Sequence, residues 1–138
     1  LHSDIQAVVQ PSFERVEKKY SSVFAGTGVA KWLQGNNIDT VTIVGYMTNN
    51  CDLASSADAE ALDLTVEILS DATGAINLSN EAGTVSAEQL HKALMVLYQS
   101  NFAAVATTDQ WIDAAKNGNG LTANNLVVSA AQGNDAVA

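Results

Sequence analysis

The residue with the most chemistry to offer is Cys51, the only cysteine in 138 residues, set within "YMTNNCDLASSADAE" (46–60). The segment reads as the junction between an apolar strand and an alanine-rich helix. A cysteine there stands at a sheet edge, where the unpaired N–H groups and positive dipole end of a helix start favour the thiolate. The same N–H groups can hold an oxyanion. The competing reading is an inert buried thiol, the commoner fate of a lone cysteine. A thiol nucleophile also needs a proton acceptor. Of the two histidines, His2 lies in the opening coil, and His91 lies in a later helix, where a packing or surface role competes with a Cys–His pair. Asp52 follows Cys51 but would point around the helix start, and Asp71 ends a strand and could cap its own loop. Lys18, in "EKK", could steady a thiolate or bind a substrate oxygen, or it could belong to a solvated charge run.

Other chemistries have little support. No His, Cys, Asp and Glu cluster at ligand spacing points to a metal, so no metal or other cofactor is expected from these residues. There is no G-x-S-x-G elbow, no G-x-G-x-x-G and no G-K-[ST]. Six Lys and Arg against fifteen Asp and Glu give a net charge of -9, a field that repels nucleic acid and anionic membrane surfaces. No apolar run approaches the roughly 18 to 20 residues a membrane span needs, and the reading is a soluble, cytoplasmic protein. With 47 % hydrophobic and 15 % charged residues, the chain suits one folded domain with a real core. We place that domain at 1–116, with 117–138 as a C-terminal tail. The sequence opens at Leu1 rather than Met, which leads us to expect processing or a further segment upstream.

The elements that would position these residues alternate. After "LHSDIQAVVQPSF", read as irregular around Pro11, a short strand is expected at Val16–Lys18. Val29, Trp32 and Leu33 then mark a helix behind a Thr27 cap, stopped by Gly35 to Asn37. "TVTIVGY" (40–46) reads as a central strand covered on both faces. A helix is expected from Cys51 to Asp63, capped by Asn49 or Asn50. "LTVEILSDAT" follows as a strand, and Gly74 to Gly83 as a loop. The next helix carries a Ser86/Gln89 capping box and a stripe of Leu90, Ala93, Leu94 and Leu97. "FAAVATT" and "DQWIDAAK" supply a last strand and helical turn. Strands alternating with helices imply an α/β fold: an open parallel sheet with helices on both faces and the functional crevice at the carboxyl ends of the strands, where Lys18 and Cys51 are both expected.

The stretch "VEKKYSSVFAGTGVAKWLQGNNIDTVTIVGYMTNNCDLASSADAEALDLTVEILSDAT" resembles the isochorismatase-like cysteine hydrolases, an amidase-type family that includes nicotinamidases and streptothricin hydrolases. Ser22, Phe24, Gly26 and Thr27 match one part of the family pattern, Gly45, Thr48 and Cys51 a second, and Asp71 with Ala72 a third. The resemblance spans about Val16 to Ile112. It implies that Cys51 is the nucleophile and Lys18 the catalytic lysine, with Lys19 the fallback. It further implies that the backbone N–H groups of Met47 and Cys51 form an oxyanion hole beside a cis peptide between Tyr46 and Met47. Tyr20, Phe24 and Tyr46 are candidates for the wall of a substrate pocket.

One part of the pattern has no counterpart. The family's catalytic Asp ends an apolar first strand, and nothing before Lys18 reads as that strand; Asp4, in "HSDIQ", has no apolar run ahead of it. The resemblance therefore implies an isochorismatase-like fold lacking its opening strand, with that segment, and any metal ligands in it, outside this sequence or on a companion chain. The leading expectation is a cysteine hydrolase of small-molecule C–N bonds of amide or lactam type, working through a thioester, in a homo-oligomer. The alternative is a catalytically silent homologue that oligomerises or binds a ligand.

Overall fold

The computed structural model describes residues 2–138; Leu1, where the question of the chain's start falls, lies outside them. Three parallel strands form the main sheet in the order β1 (Thr40–Tyr46), β2 (Thr65–Gly74) and β5 (Ala104–Ala106). Helix α3 (Leu53–Glu60) crosses from β1 to β2, and α4 (Ala87–Leu97) from β2 toward β5. α2 (Val29–Gly35) precedes the sheet, and α5 (Thr108–Lys116) follows it.

Alternation along β2 shows how both faces are covered. Val66 and Ile68 point into a core with Ala59 of α3 and with Leu94 and Tyr98 on the α4 side. Glu67, one position out of phase, points the other way, where Trp111 of α5 donates to it at 2.7 Å and Thr42 of β1 at 2.7 Å. This is the open parallel sheet flanked by helices that the alternating pattern predicts. Both later helices start on capping boxes, Ser86 with Gln89 for α4 and Thr107 with Gln110 for α5. Asp71, at the end of β2, accepts from the backbone N–H and hydroxyl of Thr108 at 2.8 and 2.9 Å and so ties the strand to the start of α5.

Several local expectations need correction. Residues 14–18 form no strand; the charged run has no sheet neighbour to pair with, and the chain stays irregular until α2. The opening segment instead forms a short helix, α1 (Ser3–Val8), with the His2 side chain accepting from the Asp4 N–H. β1 is not central among the described residues but an edge strand, with Val44 55 % and Tyr46 66 % exposed. Thr27 is not the cap of α2: Gly28 holds that position, while the Thr27 hydroxyl donates to the Val23 carbonyl and accepts from the Val29 N–H at 3.3 Å. The stretch between Gly74 and Gly83 is not all loop, since β3 (Leu78–Asn80) and β4 (Gly83–Val85) pair as an antiparallel hairpin. The tail carries α6 (Leu126–Val137), started by an Asn125 side chain that accepts from Val128 N–H at 2.9 Å. No helix among the described residues is long and apolar enough to cross a membrane.

Candidate active site

The junction after β1 is built differently from a simple strand-to-helix turn. Register with β2 shifts between Ile43 and Gly45, and Gly45 takes φ 122°, a value side chains rarely adopt. The Tyr46–Met47 peptide is cis. Residues Thr48–Asp52 then form a wide helical turn in which Asp52 N–H reaches back five residues to the Met47 carbonyl at 3.3 Å, with Asn50 N–H on the same carbonyl at 3.0 Å. Only then does α3 begin. The expected helix from Cys51 is therefore a turn first, and neither Asn49 nor Asn50 caps it: the residue before the turn is Met47, with no side-chain cap.

This turn presents Cys51 half-buried and free of any disulfide. Lys18 reaches it from 33 residues upstream, its Nζ 3.1 Å from Cys51 Sγ. The same Nζ donates to the carbonyls of Tyr20 at 3.0 Å and Ser21 at 3.1 Å. An ammonium has three N–H bonds, and here each has an acceptor. The third places a positive charge against the atom that turns negative when the thiol ionises. An ammonium so engaged has no lone pair with which to take the thiol's proton. Lys18 arrives at this position on an irregular segment rather than at a strand end. The motif residues around it shape that segment: Ser22 Oγ accepts from Phe24 N–H at 3.2 Å, Val23 N–H donates to Ser55 Oγ of α3 at 2.9 Å, and Gly26 turns at φ 70° under the Tyr20 ring. Among the described residues the contact with the sulfur is made by Lys18 and not by Lys19.

Lys18, Cys51, Asp52, Phe24 and Tyr46 share a cavity of about 430 Å³ along the open side of β1. Tyr20 does not line it; that ring lies over Gly26 and is largely exposed. A larger groove of about 910 Å³ runs between residues 12–17 and the start of α2, but neither Cys51 nor Lys18 reaches it. The cavity at the thiol is the one with chemistry in it.

The other acids and the helical histidine occupy places that residue spacing left open. Asp52 is buried, 5 % exposed, and its Oδ2 has no hydrogen-bond partner among the described residues. Burial pushes its carboxyl above the usual range, opposed by the positive charge of Lys18 and by His91. Asp71 is exposed and held below the usual range by the Thr108 backbone N–H and hydroxyl, a structural tie remote from the thiol's hydrogen bonds. His91 does not pair with Cys51. Its Nδ1 lies 3.1 Å from Thr48 Oγ1 and its Nε2 2.9 Å from the Ser70 carbonyl. Tyr98, fully buried, donates to the Thr48 carbonyl at 2.8 Å. Spacing offered no signal for Tyr98, which closes a run of apolar helix positions like any core residue. Among the described residues no group of three His, Cys, Asp or Glu could hold a metal ion.

Residues 5–110 match the isochorismatase domain family. The chain is 31 % identical over 112 residues to YrdC of Bacillus subtilis strain 168, described as an uncharacterized isochorismatase family protein; the match takes in 79 % of this chain and 60 % of that one. A crystal structure of a candidate isochorismatase from Burkholderia xenovorans LB400 superposes with a TM-score of 0.84 at 45 % identity, covering 86 % of this chain and 57 % of its own. A cysteine hydrolase from Pseudomonas syringae pv. phaseolicola 1448A gives 0.69 at 27 % identity, covering 72 % of this chain and 47 % of its own. The chain thus spans about 60 % or less of the length of these relatives. Over residues 5–110, most of its length, the chain belongs to the isochorismatase family.

Proposed function

We propose that this chain is the thiol-bearing part of a cysteine hydrolase that cleaves a C–N bond of amide or lactam type in a small molecule. The observation that carries the reading is the 3.1 Å contact of Lys18 Nζ with Cys51 Sγ inside a cavity able to seat a small substrate. Cys51 sulfur attacks the carbonyl carbon, and the carbonyl oxygen becomes an oxyanion facing the N–H groups of Met47 and Cys51. The C–N bond breaks as its nitrogen takes a proton, leaving a thioester. Water then adds to the thioester carbon, the C–S bond breaks, and the thiol is restored with a carboxylic acid as the second product. Lys18 balances the sulfur's charge through both halves. Phe24 and Tyr46 supply apolar wall around the reacting group.

The acceptor for the thiol proton comes, in this proposal, with an Asp carried to the open edge of β1 on a segment outside these residues, in the same polypeptide or in a companion. The exposed Val44 and Tyr46 on that edge suit a neighbouring element. A free catalytic thiol suits the reducing cytoplasm, and homo-oligomeric assembly is part of the same reading. The test is Cys51→Ala in the assembled protein: amide turnover falls by at least ~10³-fold while the thermal transition stays put. Turnover that survives the substitution removes the cysteine mechanism, whereas an assembled wild type that turns over no amide leaves the silent, ligand-binding reading.

A further inference from the structure

The relay that holds Thr48 is not needed to close the turn, because Asn50 and Asp52 already return to the Met47 carbonyl. Thr48 is nevertheless gripped twice from far along the chain, by residues 43 and 50 positions away. The Ser70 carbonyl can only accept, so His91 Nε2 carries the proton that donates to it. In a neutral imidazole Nδ1 is then the acceptor, and the Thr48 hydroxyl donates to it. The Thr48 carbonyl is taken by the Tyr98 hydroxyl, whose burial keeps it a donor. Side-chain rotor and peptide plane are therefore both fixed at a residue that is 0 % exposed.

Thr48 lies between Met47 and Cys51, the residues whose N–H groups face the developing oxyanion in the reading above. We propose that His91 and Tyr98 are positioning residues for this reaction: working from α4 and the residue that follows it, they hold Thr48 and so set the aim of the Cys51 sulfur and of the two N–H groups. The inference rests on the hydrolase reading for its purpose but not for its geometry. A purely structural role would cost stability and leave the reactivity of the surviving folded protein alone. A positioning role lowers the rate of the chemical step and leaves substrate binding nearly intact.

The experiment uses the full chain, with any companion polypeptide that activity requires, and the variants Thr48→Val, His91→Phe, His91→Gln and Tyr98→Phe. Two rates are read on folded protein: alkylation of Cys51 by iodoacetamide near neutral pH, and amide turnover resolved into kcat and KM. Thr48→Val, His91→Phe and Tyr98→Phe each lower kcat by about 10²-fold with KM changed less than about threefold, because small misplacement of reacting groups is costly. Alkylation slows by about tenfold in the same variants as Lys18 and the sulfur lose register. His91→Gln recovers most of both rates, since its amide can donate to Ser70 and accept from Thr48. Joining Thr48→Val to His91→Phe adds little to either alone, as expected for one hydrogen bond. The proposal is overturned if alkylation in these variants stays within about twofold of wild type while Lys18→Met slows it, or if His91→Gln is as impaired as His91→Phe. Should wild type turn over no amide, the hydrolase reading fails by itself, and the alkylation rates still decide whether the relay positions the thiol.

Discussion

The two partners of the central contact are held in opposite ways. Cys51 sits on a turn that grows out of the sheet, is closed by its own backbone bonds, and is backed by Thr48, His91 and Tyr98 in the core. Lys18 rides on an irregular segment with no sheet neighbour, held by two of its own nearby carbonyls, by the sulfur, and through Val23 by a single bond to Ser55. The nucleophile is thus part of the folding unit, whereas the lysine is delivered to it. Substitutions at the supports of the first side, Thr48, His91 and Tyr98, should cost stability together with rate. Substitutions on the second should cost rate alone.

Lys18→Met is the sharpest way to break that contrast. It removes the positive charge facing the sulfur while leaving two carbonyls that water can satisfy, so kcat should fall by about 10² to 10³-fold, the scale on which charge stabilisation in a preorganised site is lost. Unfolding by urea should move by no more than ~0.5 kcal/mol, as for other exposed sites. A loss of stability larger than that would show the lysine segment to be part of the core after all. Lys18→Arg should not rescue the rate, because a planar guanidinium cannot place three donors around one nitrogen.

Ser55→Ala tests the bridge between the two sides. Ser55 is buried on α3, and its hydroxyl accepts the Val23 N–H. Without it that N–H loses its partner, at about 1 kcal/mol of stability in urea unfolding, and the segment carrying Lys18 is less firmly placed. The turnover rate should drop several-fold, well short of the effect of Lys18→Met. Equal effects from the two would mean that Ser55, and not the lysine's own carbonyl contacts, decides where the ammonium sits.

The same division explains what the residues disclosed in advance. β1, β2 and α4 were legible because β-branched runs, a 3.6-residue stripe and the Ser86/Gln89 capping box are local signals that the packing does not contradict, while the Thr107/Gln110 box that starts α5 went unread. The pairing of Lys18 with Cys51 was legible only through the joint pattern of "KKYSSVFAGT" and "GYMTNNC"; nothing in the charge run itself marks one lysine as facing inward. Strand character for residues 16–18 failed because a strand needs a neighbour, and none of the described residues supplies one. The wide turn at Thr48–Asp52 was hidden because the backbone bonds that close it on the Met47 carbonyl leave no side-chain pattern, and the partners that grip Thr48, His91 and Tyr98, read locally as an ordinary helix surface and core. Long-range hydrogen bonds leave no periodicity.

Asp52 is the exception within the anchored side and gives the smallest but most diagnostic effect. Its carboxyl is buried with one oxygen unpartnered among the described residues, and burial raises its pKa above the usual range although a charged His91 and Lys18 pull the other way. A carboxyl whose folded pKa lies above its unfolded value binds its proton more tightly in the folded state. Its contribution to stability is therefore fully present below the unfolded carboxylate range of about 4, and is lost as pH rises through the folded value. Asp52→Asn keeps the shape and removes that loss. The variant should gain about 1 kcal/mol over wild type at neutral pH, and the gain should shrink toward zero as urea unfolding is repeated down to about pH 3. The sign separates two accounts of the same carboxyl. A gain confined to the higher pH values means that burial dominates, and the nucleophile turn carries a cost beside Cys51 that its hydrogen-bonded neighbours offset. A loss at neutral pH means that attraction to Lys18 outweighs burial, in which case Asp52 helps draw the delivered lysine toward the anchored thiol.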